Sequence, residues 1–220
     1  MSKLFKFGED VEGYEIPVLN EREIRAAAGI FFVWAFLAVL TAIMKGSFVM
    51  LKYFILAFLV DFIVRVLINP KFAPSLIIGR LIVRRQTPEY VGAAQKKFAW
   101  VIGLALVLIM LVLVVFVNSY SPITGIICLI CLIFLLFESA FGICLGCLFY
   151  GWFYGKKARY CPGEVCEVKD RHEIQKTTWG QLFIVLAFIG FIVVSVYLFN
   201  ETFAEKPQDL FKIIESAQSK

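Results

Sequence analysis

The chain has 220 residues, a formal net charge of +5, 60% hydrophobic side chains and a mean hydropathy of +0.83. Soluble domains hold about half apolar residues, so an excess gathered in long uncharged runs excludes an ordinary soluble domain and points to membrane spans. The modest charge gives no ground for a nucleic-acid partner, and the first twenty residues mix Lys3 and Lys6 with Glu9, Asp10, Glu12 and Glu15 without the apolar core of a removable signal peptide.

A span needs about 20 mostly apolar residues to cross about 30 Å of hydrocarbon. Five segments qualify: 26–44, 48–68, 98–117, 123–149 and 182–199. They predict an all-α fold, an integral membrane helical bundle of about five transmembrane helices. Its parts are a cytoplasmic N-terminal segment 1–25, a bundle 26–200 with cytoplasmic loops 69–97 and 150–181, and a polar C-terminal tail 201–220. Asn20 is the expected cap of the first helix, with Glu23 reaching back to the Asn20 amide. The second segment carries Lys52, Asp61 and Arg65. Lys52 and Arg65 sit near its ends, where long cations snorkel, and Asp61 is four residues from Arg65, on one helix face. Between spans two and three, 73–85 is too short to cross and reads as an interfacial or re-entrant segment. The fourth segment is too long for one crossing, at about 40 Å of helix, and is expected to project or to bend near Gly142 or Gly146.

Lys and Arg set the orientation. With the N-terminus in the cytoplasm, seventeen of the 22 basic residues fall inside and five outside. Five spans then give a cytoplasmic N-terminus and a periplasmic or extracellular C-terminus in a bacterial inner membrane. Trp100 and Trp179 fit the cytoplasmic starts of spans three and five as interfacial anchors. No internal repeat of the kind that marks many transporters is visible, although a homo-oligomer would supply symmetry.

All six cysteines lie between Cys128 and Cys166. Cys128 and Cys131 fall inside the fourth span and read as small core hydrophobes. On one continuous helix Cys131 and Glu138 are only about 20° out of alignment, whereas Cys147 faces nearly the opposite way. Cys144 and Cys147 form Cys-Leu-Gly-Cys, and Cys161 and Cys166 bracket a Pro162-Gly163 turn. Three readings of these four stay open: structural cysteines, a redox or sulfur-transfer dithiol, and a tetrahedral zinc site built from Cys144, Cys147, Cys161 and Cys166. If the fourth helix runs unbroken, Cys144 and Cys147 lie late in it, where the dipole opposes a thiolate.

Glu138 lies about ten residues inside the fourth span and should face the bundle, paired or protonated. Asp61, Ser139 or backbone are the expected partners. With Asp61 it is the candidate site of a small-solute or ion transporter. His172 reads as a solvated loop histidine. No phosphate loop and no nucleophile–base arrangement stands out, so a conventional enzyme is not the first expectation.

Several segments resemble a bacterial membrane family, domain of unknown function family 4395. They are Val18-Leu19-Asn20-Glu21-Arg22-Glu23, Arg25-Ala26-Ala27-Ala28-Gly29, Asn69-Pro70, Ala73-Pro74-Ser75-Leu76, Gln95-Lys96-Lys97-Phe98-Ala99-Trp100, and 142–150 around Cys144 and Cys147. The Cys-x-Gly-Cys turn is the most specific piece. Relatives are associated with thioredoxin-like or sulfurtransferase-like proteins, so the resemblance implies a thiol role and such a partner. The leading expectation is a membrane thiol protein acting in redox or sulfur handling through Cys144 and Cys147. The alternatives are the transporter using Glu138 and Asp61, and a structural subunit of a membrane complex.

Overall fold

Asn20 opens the bundle. In the computed structural model, which describes residues 7–14, 16–154, 177–212 and 214, its side chain accepts the Arg22 amide and helix α1 runs Glu21–Lys45. Helix α2, Val49–Ile63, continues without a break into a π turn, Val64–Ile68. A 3-10 turn, Pro70–Phe72, leads to the short helix α3, Pro74–Val83. Helix α4, Ala93–Met110, also ends in a π turn, Leu111–Phe116. Helix α5, Pro122–Leu136, starts at a reciprocal Ser121–Thr124 cap and ends in a third π turn, Phe137–Phe141. Helices α6, Leu145–Tyr154, and α7, Trp179–Ala204, complete the all-α fold. Strand pairs of two or three residues tie each end. β1, Val18–Asn20, runs antiparallel to β2, Tyr90–Gly92, and β3, Ser119–Tyr120, runs parallel to β4, Gln208–Asp209.

Among the described residues four helical runs are long and apolar enough to cross a membrane: Glu21–Lys45, Ala93–Phe116, Pro122–Phe141 and Trp179–Ala204. The second expected span is also one continuous helical run, but Lys52, Asp61 and Arg65 are all buried in it, at 1%, 0% and 3% exposure. It is the central helix, packed against α1, α4 and α7. Its Phe54, Phe58 and Phe62 join Phe31 of α1 in an aromatic column, with Phe58 and Phe62 stacked at 4.0 Å. Large apolar side chains on the peripheral helices point outward, among them Ile43, Phe116, Phe183 and Leu198.

Several expectations are corrected by this architecture. Lys52 and Arg65 do not snorkel. Lys52 Nζ instead donates to Asn118 Oδ1 at 2.7 Å and to the Glu205 carbonyl at 3.2 Å. The 73–85 segment, too short to cross, folds largely as α3, with Leu76, Ile77 and Arg80 buried and the helix packed against α1 and α7. Glu23 accepts from the Asn20 side-chain amide at 3.0 Å, not from its backbone, because Asn20 is also the last residue of β1. Trp100 is buried at 5% exposure beneath Arg65 and is no interfacial anchor, whereas Trp179 is exposed. After α7 the chain pairs with β3 through β4, with Gln208 N–H donating to the Asn118 carbonyl.

Candidate functional site at the cysteine end

The fourth expected span is two helices. Gly142 takes φ +66°, and its N–H and that of Ile143 both donate to the Phe137 carbonyl, which closes α5. A left-handed residue costs glycine nothing. The Arg25 guanidinium lies over Gly142 in the space a Cβ would take, but it is the end of a flexible side chain, so the positive φ and not space is what calls for glycine. The break changes the position of the cysteines. Cys144 immediately precedes α6 and Cys147 lies in its first turn, with Cys147 N–H donating to the Cys144 carbonyl at 2.9 Å. The expectation that the pair lies late in a helix is therefore overturned, and the dipole of α6 presents its positive end to both sulfurs. The two cysteines are paired as a disulfide, with Cα atoms 5.1 Å apart.

The glycine inside Cys-Leu-Gly-Cys has its own reason. A Cβ on Gly146 would lie 2.5 Å from Ala99 Cβ and 2.9 Å from Ala99 Cα. Only glycine lets the first turn of α6 approach α4 this closely. Phe98 and Tyr150 pack edge to face about one turn further along α6, with ring centres 5.6 Å apart.

Beside the disulfide lies a buried charge cluster. Lys96 Nζ, from the first turn of α4, contacts Glu21 Oε2 at 2.7 Å and Glu138 Oε1 at 2.5 Å. Lys96 and Glu21 are almost fully buried, and Glu138 nearly so. Arg25 sits 3.7 Å from Glu21 and 3.6 Å from Glu89, and Arg22 meets Glu89 at 2.7 Å. The expected partners of Glu138 were Asp61, Ser139 or backbone, and the structure corrects this. Lys96 is its partner, and Ser139 Oγ donates instead to the Leu136 carbonyl. Neither Lys96 nor Glu21 stands out as a site residue from the sequence alone.

Asp61 serves a different end. Its carboxylate accepts from Arg65 Nη2 at 2.7 Å, from the Ser75 amide at 2.8 Å and from Ser75 Oγ at 2.8 Å. It thus caps the N-terminus of α3 from a neighbouring helix while neutralising Arg65. The Arg65 guanidinium is sandwiched between Phe62 and Trp100, at 4.5 Å and 4.7 Å. A second buried pair, Glu23–Arg80 at 3.1 Å, locks α3 to α1.

A cavity of about 80 Å³ connects these groups. Cys144, Glu138, Arg65 and Cys131 line it, with Trp100 and Phe62 among its aromatic walls. Cys131 and Cys144 therefore share one space, although an unbroken helix would have kept the α5 cysteines apart from the Cys-x-x-Cys pair. Cys161, Cys166 and His172 lie outside the described residues, as does most of the basic loop before α7. The candidate zinc set is thus represented here by Cys144 and Cys147. Among the described residues no group of three or more His, Cys, Asp or Glu side chains converges as metal ligands do.

No curated protein and no solved structure matches this chain. A family model matches residues 19–154, more than half of the chain and the whole of the site from Asn20 to the end of α6. The matched stretch carries Glu21, Arg65, Lys96, Glu138, Cys144 and Cys147 together, and the chain belongs to the family described as Domain of unknown function (DUF4395).

Proposed function

We propose that this chain is an inner-membrane thiol–disulfide protein whose working group is the Cys144–Cys147 pair. One observation carries the reading: the pair sits across the N-terminus of α6, where the helix dipole stabilises a departing or attacking thiolate. The exchange balances without a further reagent. A partner thiolate attacks one sulfur of the disulfide, a mixed disulfide forms, and the partner's second thiolate displaces it. The partner leaves oxidised and Cys144 and Cys147 leave as thiols. A thioredoxin-like protein is the partner of fitting chemistry. The transporter alternative loses Asp61, whose acceptor oxygens are already engaged by Arg65 and Ser75.

Membrane insertion is supported by four long apolar helices with outward apolar side chains, and in this reading α2 with its π turn makes the fifth crossing. The basic asymmetry favours a cytoplasmic N-terminus and a C-terminus on the opposite side. On this reading the cysteine end faces the cytoplasm. Reporter fusions after Met44, Val117 and Lys220 should all read external.

The test of the thiol reading is differential alkylation of the membrane-embedded chain, read by mass spectrometry. Cys144 and Cys147 should pass from blocked to labelled after dithiothreitol and back after diamide. Cys128 and Cys131 should not change. A pair that stays in one state under both reagents would overturn the assignment.

A further inference from the structure

We infer that the cavity beside the disulfide binds the head group of a lipid-soluble quinone, which accepts electrons from Cys144 and Cys147; the inference rests on the thiol reading above. Three observations identify this ligand class. The first is an unused donor. Arg65 is 4% exposed, lines the cavity, and its Nε is buried without a hydrogen-bond partner. A buried donor of this kind calls for an acceptor oxygen. The second is charge. Arg65 is already neutralised by Asp61 at 2.7 Å, and Glu138, also on the wall, is paired with Lys96. An anionic sulfur compound would therefore meet no uncommitted cation, while a neutral carbonyl compound meets the Arg65 donor at no electrostatic cost. The third is shape and access. The walls are mostly apolar and aromatic, Phe58, Phe62 and Trp100 among them, and the cavity is open on one side. At about 80 Å³ it takes the leading edge of a six-membered ring, with substituents and tail left outside. An apolar ligand dissolved in lipid reaches such a site directly in a bundle whose outer surface is apolar.

Redox chemistry selects a quinone from among neutral ring ketones, because Cys144 lies on the same wall and a quinone takes up two electrons. The Cys144 and Cys147 thiols give up two electrons and two protons, and the sulfur–sulfur bond forms. Both quinone carbonyls become hydroxyls, and the quinol leaves. The pair returns to the dithiol by exchange with a partner dithiol, which departs as its disulfide. Net electron flow then runs from a protein dithiol to the quinone pool.

The experiment uses the full chain in lipid nanodiscs, reduced with dithiothreitol, desalted under argon and mixed with decylubiquinone. Quinone loss is followed by its ultraviolet absorbance and cysteine state by mass spectrometry. One quinone should be consumed per chain as the Cys144 and Cys147 thiols disappear. Ala28 and Leu106 also line the cavity, so Ala28→Leu and, independently, Leu106→Trp should slow this oxidation by about a hundredfold, as expected when reacting groups are held apart. Both variants should still cycle normally with dithiothreitol and diamide, which also shows that the site has folded. If the wild-type pair cycles with those reagents but decylubiquinone does not oxidise it faster than it oxidises free dithiothreitol, the quinone assignment is overturned and the thiol reading stands. Filled variants that cycle and reduce quinone at the wild-type rate would overturn the cavity as its site. A pair that cycles with neither reagent would overturn both.

Discussion

Two buried lysines, one at each end of the bundle, are held in opposite ways. Lys96, at the cysteine end, lies between two carboxylates, Glu21 and Glu138. Lys52, at the far end, is 1% exposed yet bonds only neutral oxygens, Asn118 Oδ1 and the Glu205 carbonyl, with the Phe203 ring 5.9 Å away. The first arrangement concentrates charge where a cavity and a disulfide meet. The second staples α2 to the α4–α5 turn and to the segment after α7, and needs only lone pairs. Removing the two cations should therefore have unequal consequences. Lys96→Met leaves two carboxylates facing each other with only Arg25, 3.7 Å from Glu21, as counter-ion, and should cost about 3–5 kcal/mol, the range for breaking a buried ion pair. Lys52→Met leaves two neutral acceptors near a bundle end and should cost about 1–2 kcal/mol. Thermal unfolding in detergent, followed by intrinsic fluorescence, checks both. Equal losses would mean that the Lys96 cluster is solvated in the folded chain.

Gly146→Ala sharpens the contrast at an intermediate size. The added methyl meets Ala99 Cβ and the Ala99 backbone, and the backbone cannot step aside. Overpacking of this kind costs about 1–3 kcal/mol. The strain should fall on the cysteine end alone, so the variant should change the rate at which Cys144 and Cys147 react with maleimide after reduction. An alanine that leaves both stability and labelling rate at wild-type values would show that α6 does not rest on α4.

The helices were legible because the apolar runs are long and Asn20 spells out the first cap, whereas the caps at Ser121 and Thr178 emerge only in the structure. The sequence also pointed to a bend at Gly142 or Gly146, and the αL residue at 142 is the bend. The consequence was not legible. Periodicity alone carries one helix through to Phe149 and places Cys147 opposite Cys131, whereas a break resets the phase and starts a new dipole at the cysteines. The π turns at 64–68 and 137–141 hold Arg65 and Glu138 and have no pattern in the sequence that would announce them. Lys96 was hidden for another reason. Its partners are 75 and 42 residues away in the chain, and no spacing rule selects among seven basic residues in one connecting region. Only the start of α4 at Ala93, four residues before Lys97, puts Lys96 inside a helix and not in a loop.

The smallest expected effect decides which carboxylate belongs to Lys96. Glu138→Gln keeps the side-chain volume and an oxygen that accepts from Lys96 Nζ, and it leaves Glu21 2.7 Å from the ammonium as the sole counter-ion. The cluster changes from one cation between two anions to a single ion pair with a neutral hydrogen-bond partner. The lost charge–charge attraction and the relieved carboxylate repulsion oppose each other, so the net change should stay within about 1 kcal/mol of wild type, the scale of one ordinary hydrogen bond. Glu138→Lys gives the opposite control, because a second buried ammonium beside Lys96 should cost at least about 2.5 kcal/mol. If Glu138→Gln proves as damaging as Lys96→Met, Glu138 is the indispensable partner. Glu21 would then be the spectator, and the cluster would have to be redrawn as a Lys96–Glu138 pair.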